Sequence, residues 1–211
     1  LGRVNTGSVA QRLADTPGVA RTILGAARAA RGMPGADPRA MSHSWLFTGP
    51  PGSGRSLAAI DFAAALMCTD PEEPGCGRCE ACRAVLETKQ HTDLVLVDPQ
   101  EVIIPVDTVR EVIGRAASLP TVAPWRVVIF NNADRLNNNG ANALLKTVEE
   151  PPARTVIIMC APSDAPEDFS QTLRSRCRHL YIPSPSVESI TAQLVSEGAS
   201  DHDAHLAALT S

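Results

Sequence analysis

The run Gly49-Pro50-Pro51-Gly52-Ser53-Gly54-Arg55-Ser56 constrains this chain more than any other segment. It keeps both glycines and the terminal Ser of the GxxxxGK[ST] phosphate-loop pattern, with Arg in the Lys position. Such a loop needs a buried strand before it and a helix after it. Ser44-Trp45-Leu46-Phe47-Thr48 reads as that strand, and the Ala-rich stretch from Arg55 to Met67 as that helix. Strand, glycine turn and helix form the first structural unit, and the remainder of the chain has to build around it.

In this motif, backbone N–H groups of the loop and the following helix terminus cradle an anion. A Lys would place a compact ammonium between the terminal phosphates, and Ser56 would hold Mg²⁺. Arg55 keeps the charge but spreads it over a planar fork that cannot fill the same space. Three readings stay open here: weak or inert nucleotide binding at Gly49, Gly52, Gly54, Arg55 and Ser56, a glycine turn without a ligand, or competent hydrolysis. The apolar run Val127-Val128-Ile129-Phe130 then ends in Asn131-Asn132, where hydrolysis would need carboxylates for the Mg²⁺ shell and the attacking water. Neither Asn can act as a base, so the chain is not expected to hydrolyse ATP alone. Asp134, further on, reads as a turn or cap residue.

The rest of the pattern alternates. Val9, Leu13, Ile23 and Leu24 suggest two helices broken at Pro17-Gly18, and residues 32–39 a loop. Leu94 to Val97 reads as a strand and Val102 to Val106 as a second extended piece. Asp107 is placed to cap a helix carrying Val109, Val112, Ile113 and Ala116. A helix over Asn139 to Glu150 is stopped by Pro151-Pro152. Thr155 to Cys160 and Leu180 to Ile182 read as further strands. Apolar strands alternating with helices indicate an α/β fold with a parallel sheet covered on both faces. After Pro183-Ser184-Pro185, helices at Val187 to Ser196 and near His202 to Leu209 begin a separate helical module.

A length of 211 residues suits one large domain, or one domain with a small appendage. The formal charge of −4 argues against a protein that coats nucleic acid by itself, although a local basic strip is compatible with it. No apolar stretch approaches the ~20 residues of a membrane span. Leu1 to Asn5 lack the pattern of a signal peptide, and a cytoplasmic protein is expected. In that compartment, cysteines are metal ligands or buried thiols before they are disulfides.

Cys68, Cys76, Cys79 and Cys82 follow the spacing C-x7-C-x2-C-x2-C. Short turns at this spacing can aim four sulfurs at one tetrahedral ion, so a structural zinc site is expected. The alternatives are an iron–sulfur centre, against which the missing x3-Cys-Pro continuation counts, and free thiols. Cys160, on an apolar strand, reads as a small buried hydrophobe. Leu173-Arg174-Ser175-Arg176-Cys177-Arg178 places three arginines before the last strand. By itself this is a solvated basic turn; at the end of a phosphate-loop sheet, an Arg can instead reach a neighbouring subunit's γ-phosphate.

Taken in order, GPPGSGRS at Gly49 to Ser56, the cysteine cluster, NALLKTVEEPP at Asn142 to Pro152 and LRSRC at Leu173 to Cys177 resemble the bacterial DNA polymerase III clamp-loader family of AAA+ ATPases. The resemblance covers Val9 to Ser196. Arg55 and Asn131-Asn132 make the chain more similar to delta-prime subunits than to gamma/tau motor subunits, which keep Lys and the acids. A gamma/tau-like ATPase that binds and hydrolyses ATP is the alternative.

The resemblance implies an AAA+ domain over 1–183 with the zinc module at 68–82, and the start of a helical lid over 184–211. It implies that Arg176, within the motif Ser175-Arg176-Cys177, serves as an arginine finger in trans. The implied partners are gamma/tau and delta subunits, the sliding clamp and, through the complex, primer-template DNA. Two departures stand out. No polar sensor residue is evident at Ala161-Pro162-Ser163, and family members continue through the lid into a collar domain, so the chain is expected to be a truncated form.

Overall fold

A computed structural model describes residues 7–99 and 101–187, together with positions 190, 191, 195, 200, 207 and 208. The expected helices at Val187 to Ser196 and His202 to Leu209, and hence the lid, lie largely outside the described residues.

Five strands form one sheet: β1 (Ser44–Thr48), β2 (Leu94–Val97), β3 (Arg126–Phe130), β4 (Thr155–Ala161) and β5 (Arg178–Tyr181). All pair in parallel, in the order β2-β3-β4-β1-β5. The three central strands are buried along their whole length, as a sheet covered on both faces requires. Period-two alternation then divides the core. Trp45, Phe47, Val127, Ile129, Val156 and Ile158 face one layer, whereas Leu46, Val128, Phe130, Ile157 and Met159 face the other.

The first layer holds α1 (Val9–Arg12), α2 (Pro17–Ala30) and α3 (Arg55–Met67). From Ala58 to Met67 every residue of α3 is buried, because the sheet, α1, α2 and the cysteine segment enclose it. Its five alanines let these neighbours come close. Phe62 of α3 packs 5.2 Å from Trp45 and 6.1 Å from Phe47, which concentrates the scarce aromatics between β1 and α3. The second layer holds α5 (Val106–Ala116), α6 (Asn138–Glu149) and α7 (Gln171–Arg174). Between the layers in sequence, α4 (Glu80–Arg83) runs into a π-helical turn over Ala84–Thr88.

Some expectations need correction. Pro17-Gly18 does not break the first two helices: Pro17 opens α2, where its missing N–H costs nothing, and the break is at residues 13–16. Asp107 does not cap α5. Pro105 occupies the cap position with extended backbone, and Asp107 lies in the first turn, paired with Arg110 at 3.0 Å. The piece from Val102 to Val106 forms no ladder strand. Only Ile104 makes an isolated bridge, to Leu136, while Val102 and Ile103 are exposed. The last strand begins at Arg178 and ends at Tyr181, before Ile182.

Candidate functional site

Parallel strands deliver their C-terminal ends to one edge of the sheet, where open α/β sheets bind ligands. The glycine loop follows β1 at this edge, and Asn131-Asn132 follow β3. Gly52 and Gly54 both adopt left-handed backbone, φ 84° and 80°, and Gly54 caps α3 in that conformation. Gly49 is required for a different reason: a Cβ there would collide with the carbonyl of Ile182 and the side chain of Ser53. The phosphate-loop frame is thus assembled as a strand, turn and helix.

Arg55 turns back onto this frame. Its Nη1 donates to the carbonyl oxygens of Gly49 at 2.8 Å and Pro50 at 3.2 Å. Its Nε is buried without a hydrogen-bond partner among the described residues, as are Ser53 Oγ and Asn131 Oδ1. The Asn131 backbone N–H bonds to Val97, and Asn132 takes left-handed φ 52° to start a 3-10 turn at Ala133–Arg135. Asp134 sits exposed in that turn. The arrangement can hold an anion on its amides, but the guanidinium is committed to loop carbonyls and no carboxylate stands at either Asn. Ser163, in the expected sensor segment, donates its hydroxyl to Asp168 at 2.7 Å.

Beside the loop, a cleft of about 310 Å³ is walled by Arg12, Leu13, Ser53, Gly54, Asp61 and Ile182, with others. Arg12 Nε lies 2.5 Å from the buried Asp61 carboxylate. Burial raises the Asp61 pKa and outweighs the lowering by Arg12. Sequence reasoning missed this pair. Its members lie in separate helices, and an isolated Asp in an Ala-rich helix carries no local signal.

The four cysteines of the cluster converge. Their sulfurs lie within 4.8 Å of one another, and Cys79 Sγ lies 3.9 Å from Cys68 Sγ. A tetrahedral ion with Zn–S bonds of about 2.3 Å sets its sulfurs about 3.8 Å apart, so the donor set fits one zinc ion. Backbone N–H groups of Asp70, Cys79 and Cys82 each approach a ligand sulfur at 3.4 Å, which favours thiolates. The Cys82 thiol holds Cys68 down to about 4 against the effect of burial, while Cys82 itself is pushed up by Cys68 and by burial. Zinc held by four thiolates has no open position and supplies structure, not catalysis. Cys160 is a packed thiol as expected, and burial pushes it up to about 12.

All three arginines of the basic turn are partnered. Arg174 pairs with Asp164 at 2.7 Å, and Arg174 lowers the pKa of that carboxyl. Arg178 donates to the carbonyls of Arg39 and Ala40 and lies 5.1 Å from the Trp45 ring centroid. Arg176 Nε lies 2.5 Å from Glu149 Oε1, and its Nη1 donates to Thr172 O at 2.8 Å and Ser175 Oγ at 3.2 Å. Cys177 packs against the second core layer, and burial pushes its thiol up to about 12. Ser175 and Cys177 therefore hold the turn in which Arg176 stands, its side chain 36% exposed.

The parallel sheet, the glycine loop and the flanking helices place the molecule among AAA+ ATPase folds. The RuvB Holliday junction branch migration motor of Thermotoga maritima shares this fold with a TM-score of 0.52 at 16% identity, over 92% of this chain and 55% of that one. A family model described as DNA polymerase III, delta subunit, matches residues 36–186. The delta-prime subunit of Pseudomonas aeruginosa DNA polymerase III is 35% identical over 165 residues, 75% of this chain and 49% of its own length. The gamma/tau subunit of Mycobacterium bovis is 33% identical over 166 residues, 76% of this chain and 28% of its own. The chain belongs to the delta-prime family of DNA polymerase III clamp-loader subunits. It spans about half the length of the delta-prime relative. No helix among the described residues is long and apolar enough to cross a membrane.

Proposed function

We propose that this chain acts in the cytoplasm as a clamp-loader subunit that does not itself hydrolyse ATP. It presents Arg176 to the ATP site of a neighbouring gamma/tau-type subunit and, with that subunit and delta, helps load the sliding clamp onto primer-template DNA. The observation that carries this reading is the bond from Arg55 to its own loop at Gly49 and Pro50, in a sheet whose β3 is followed by Asn131-Asn132. The frame for nucleotide is kept and the groups for turnover are not. Arg176 has the chemistry that such a subunit would contribute, a permanent charge able to bond two phosphate oxygens.

A gamma/tau-like ATPase is the second reading, favoured by the 33% identity to the mycobacterial subunit and by the intact glycine geometry. The two separate in a complex reconstituted with the full-length subunit. Arg176→Ala lowers clamp- and DNA-stimulated ATP turnover and leaves assembly intact. Unchanged turnover removes the proposal, and Mg²⁺-dependent phosphate release by this chain alone, abolished by Ser56→Ala, establishes the second reading.

A further inference from the structure

We propose that Glu149 is the positioning residue of Arg176, fixing the plane of its guanidinium before a neighbouring subunit arrives. This rests on the assignment of Arg176 as the group offered in trans. Glu149 is the last residue of α6, and Arg176 follows α7, which packs against α6. The Glu149 carboxylate takes Nε at 2.5 Å, while Thr172 O and Ser175 Oγ take Nη1 at 2.8 and 3.2 Å. Three acceptors from two helix ends thus hold two nitrogens of a rigid plane, and none of these bonds uses Nη2. Among the described residues its donors are left for an oxyanion.

Stability does not account for this arrangement. The two side chains are 36% and 47% exposed, and ion pairs that open to water add little to folding. A carboxylate at the C-terminal end of a helix also meets the negative end of the dipole, so α6 by itself disfavours Glu149 where it stands. What the pair does supply is orientation. Arg is a long side chain with many rotamers, and a finger that is already aimed loses less freedom when it meets phosphate. The basic turn's other two arginines are engaged elsewhere, by Asp164 and by the carbonyls of Arg39 and Ala40. Only Arg176 is held from α6.

The test uses the reconstituted full-length complex with Glu149→Ala, Glu149→Gln, Arg176→Ala and the double variant Glu149→Ala/Arg176→Ala. Misorientation of a reacting group is costly without loss of binding, so Glu149→Ala is expected to lower kcat about five- to tenfold with KM for ATP within about twofold. Glu149→Gln, which keeps an acceptor oxygen, recovers part of the loss, and the double variant matches Arg176→Ala. The melting temperature of Glu149→Ala stays at the wild-type value. Wild-type kcat in Glu149→Ala beside a defective Arg176→Ala overturns the positioning role alone. Losses that add in the double variant also overturn it. An Arg176→Ala complex with normal turnover removes the assignment beneath and the positioning role with it.

Discussion

Arg55 Nη1 lies 2.8 Å from the carbonyl oxygen of Gly49, the residue that opens the loop Arg55 itself closes. A guanidinium bonded to carbonyls presents its charge to the backbone and not to the space above the loop amides. Lys at this position would reach that space with a compact, rotatable ammonium. Arg55→Lys is expected to tighten MgATP binding by about tenfold, roughly 1.4 kcal/mol, in titration calorimetry. It should release no phosphate, because Asn131 and Asn132 still supply no carboxylate. Unchanged affinity would show that the guanidinium does not restrict the site, and phosphate release would show that the Asn pair is not the missing element.

Much of this was legible in the sequence where the signal is local. The glycine loop is read from its spacing because each glycine answers a backbone need within eight residues. The cysteines are read likewise, since C-x2-C-x2-C fixes the turns that bring their sulfurs together. The buried runs at β1, β3 and β4, alternating with helices, fit a parallel sheet whose strands are covered on both faces. Pairs made by the fold over long separations were not legible. Glu149 and Arg176 belong to motifs twenty-seven residues apart, and nothing in either names the other. Arg12 and Asp61 meet only because α1 lies on α3. The start of α5 was misplaced because Asp107 is a good cap type, yet Pro105 already holds the extended backbone that a cap position needs.

The ion pair of Asp93 and Arg126 is a further case, and it carries a stability prediction. Both side chains are buried, with Arg126 Nη2 3.0 Å from Asp93 Oδ1. Asp93 also accepts the backbone N–H groups of Thr121, Val122 and Ala123, while Arg126 Nη1 bonds the carbonyls of Arg115 and Ser118. The pair joins β3 to the end of α5 and the loop after it. Breaking such a pair from one side leaves a buried charge, so Asp93→Ala is expected to cost about 3–5 kcal/mol in urea unfolding. Burial disfavours the Asp93 carboxylate, but these N–H groups and Arg126 together hold its pKa well below the ordinary carboxylate range. A depressed acid stabilises the fold above its unfolded pKa, near 3.9, and the contribution is lost as pH falls toward the folded value. Stability measured from pH 6 down to pH 3 should therefore fall less steeply for Asp93→Asn than for the wild type. Equal slopes would place the acid sensitivity in another group.

The cysteine knuckle also governs the wall of the cleft beside the glycine loop. Val9 N donates to Gly75 O at 2.8 Å, and a Cβ on Gly75, φ 73°, would collide with the Val9 side chain. Val9 begins α1, and Arg12 at the other end of α1 reaches Asp61 and lines the cleft. Metal at Cys68, Cys76, Cys79 and Cys82 would thus fix the turn on which α1 rests, and binding free energy at such a site is folding free energy. Reduced, freshly purified protein is expected to contain one zinc per chain. A strong chelator should lower the melting temperature by about 10 °C, corresponding to a few kcal/mol. Gly75→Ala separates the metal from the contact: it should retain zinc, melt lower, and lose hydrogen-exchange protection at the Val9 amide. Full protection at Val9 in that variant would mean that α1 is held by α3 alone, and a chelated protein with unchanged melting would remove the structural role of the cluster.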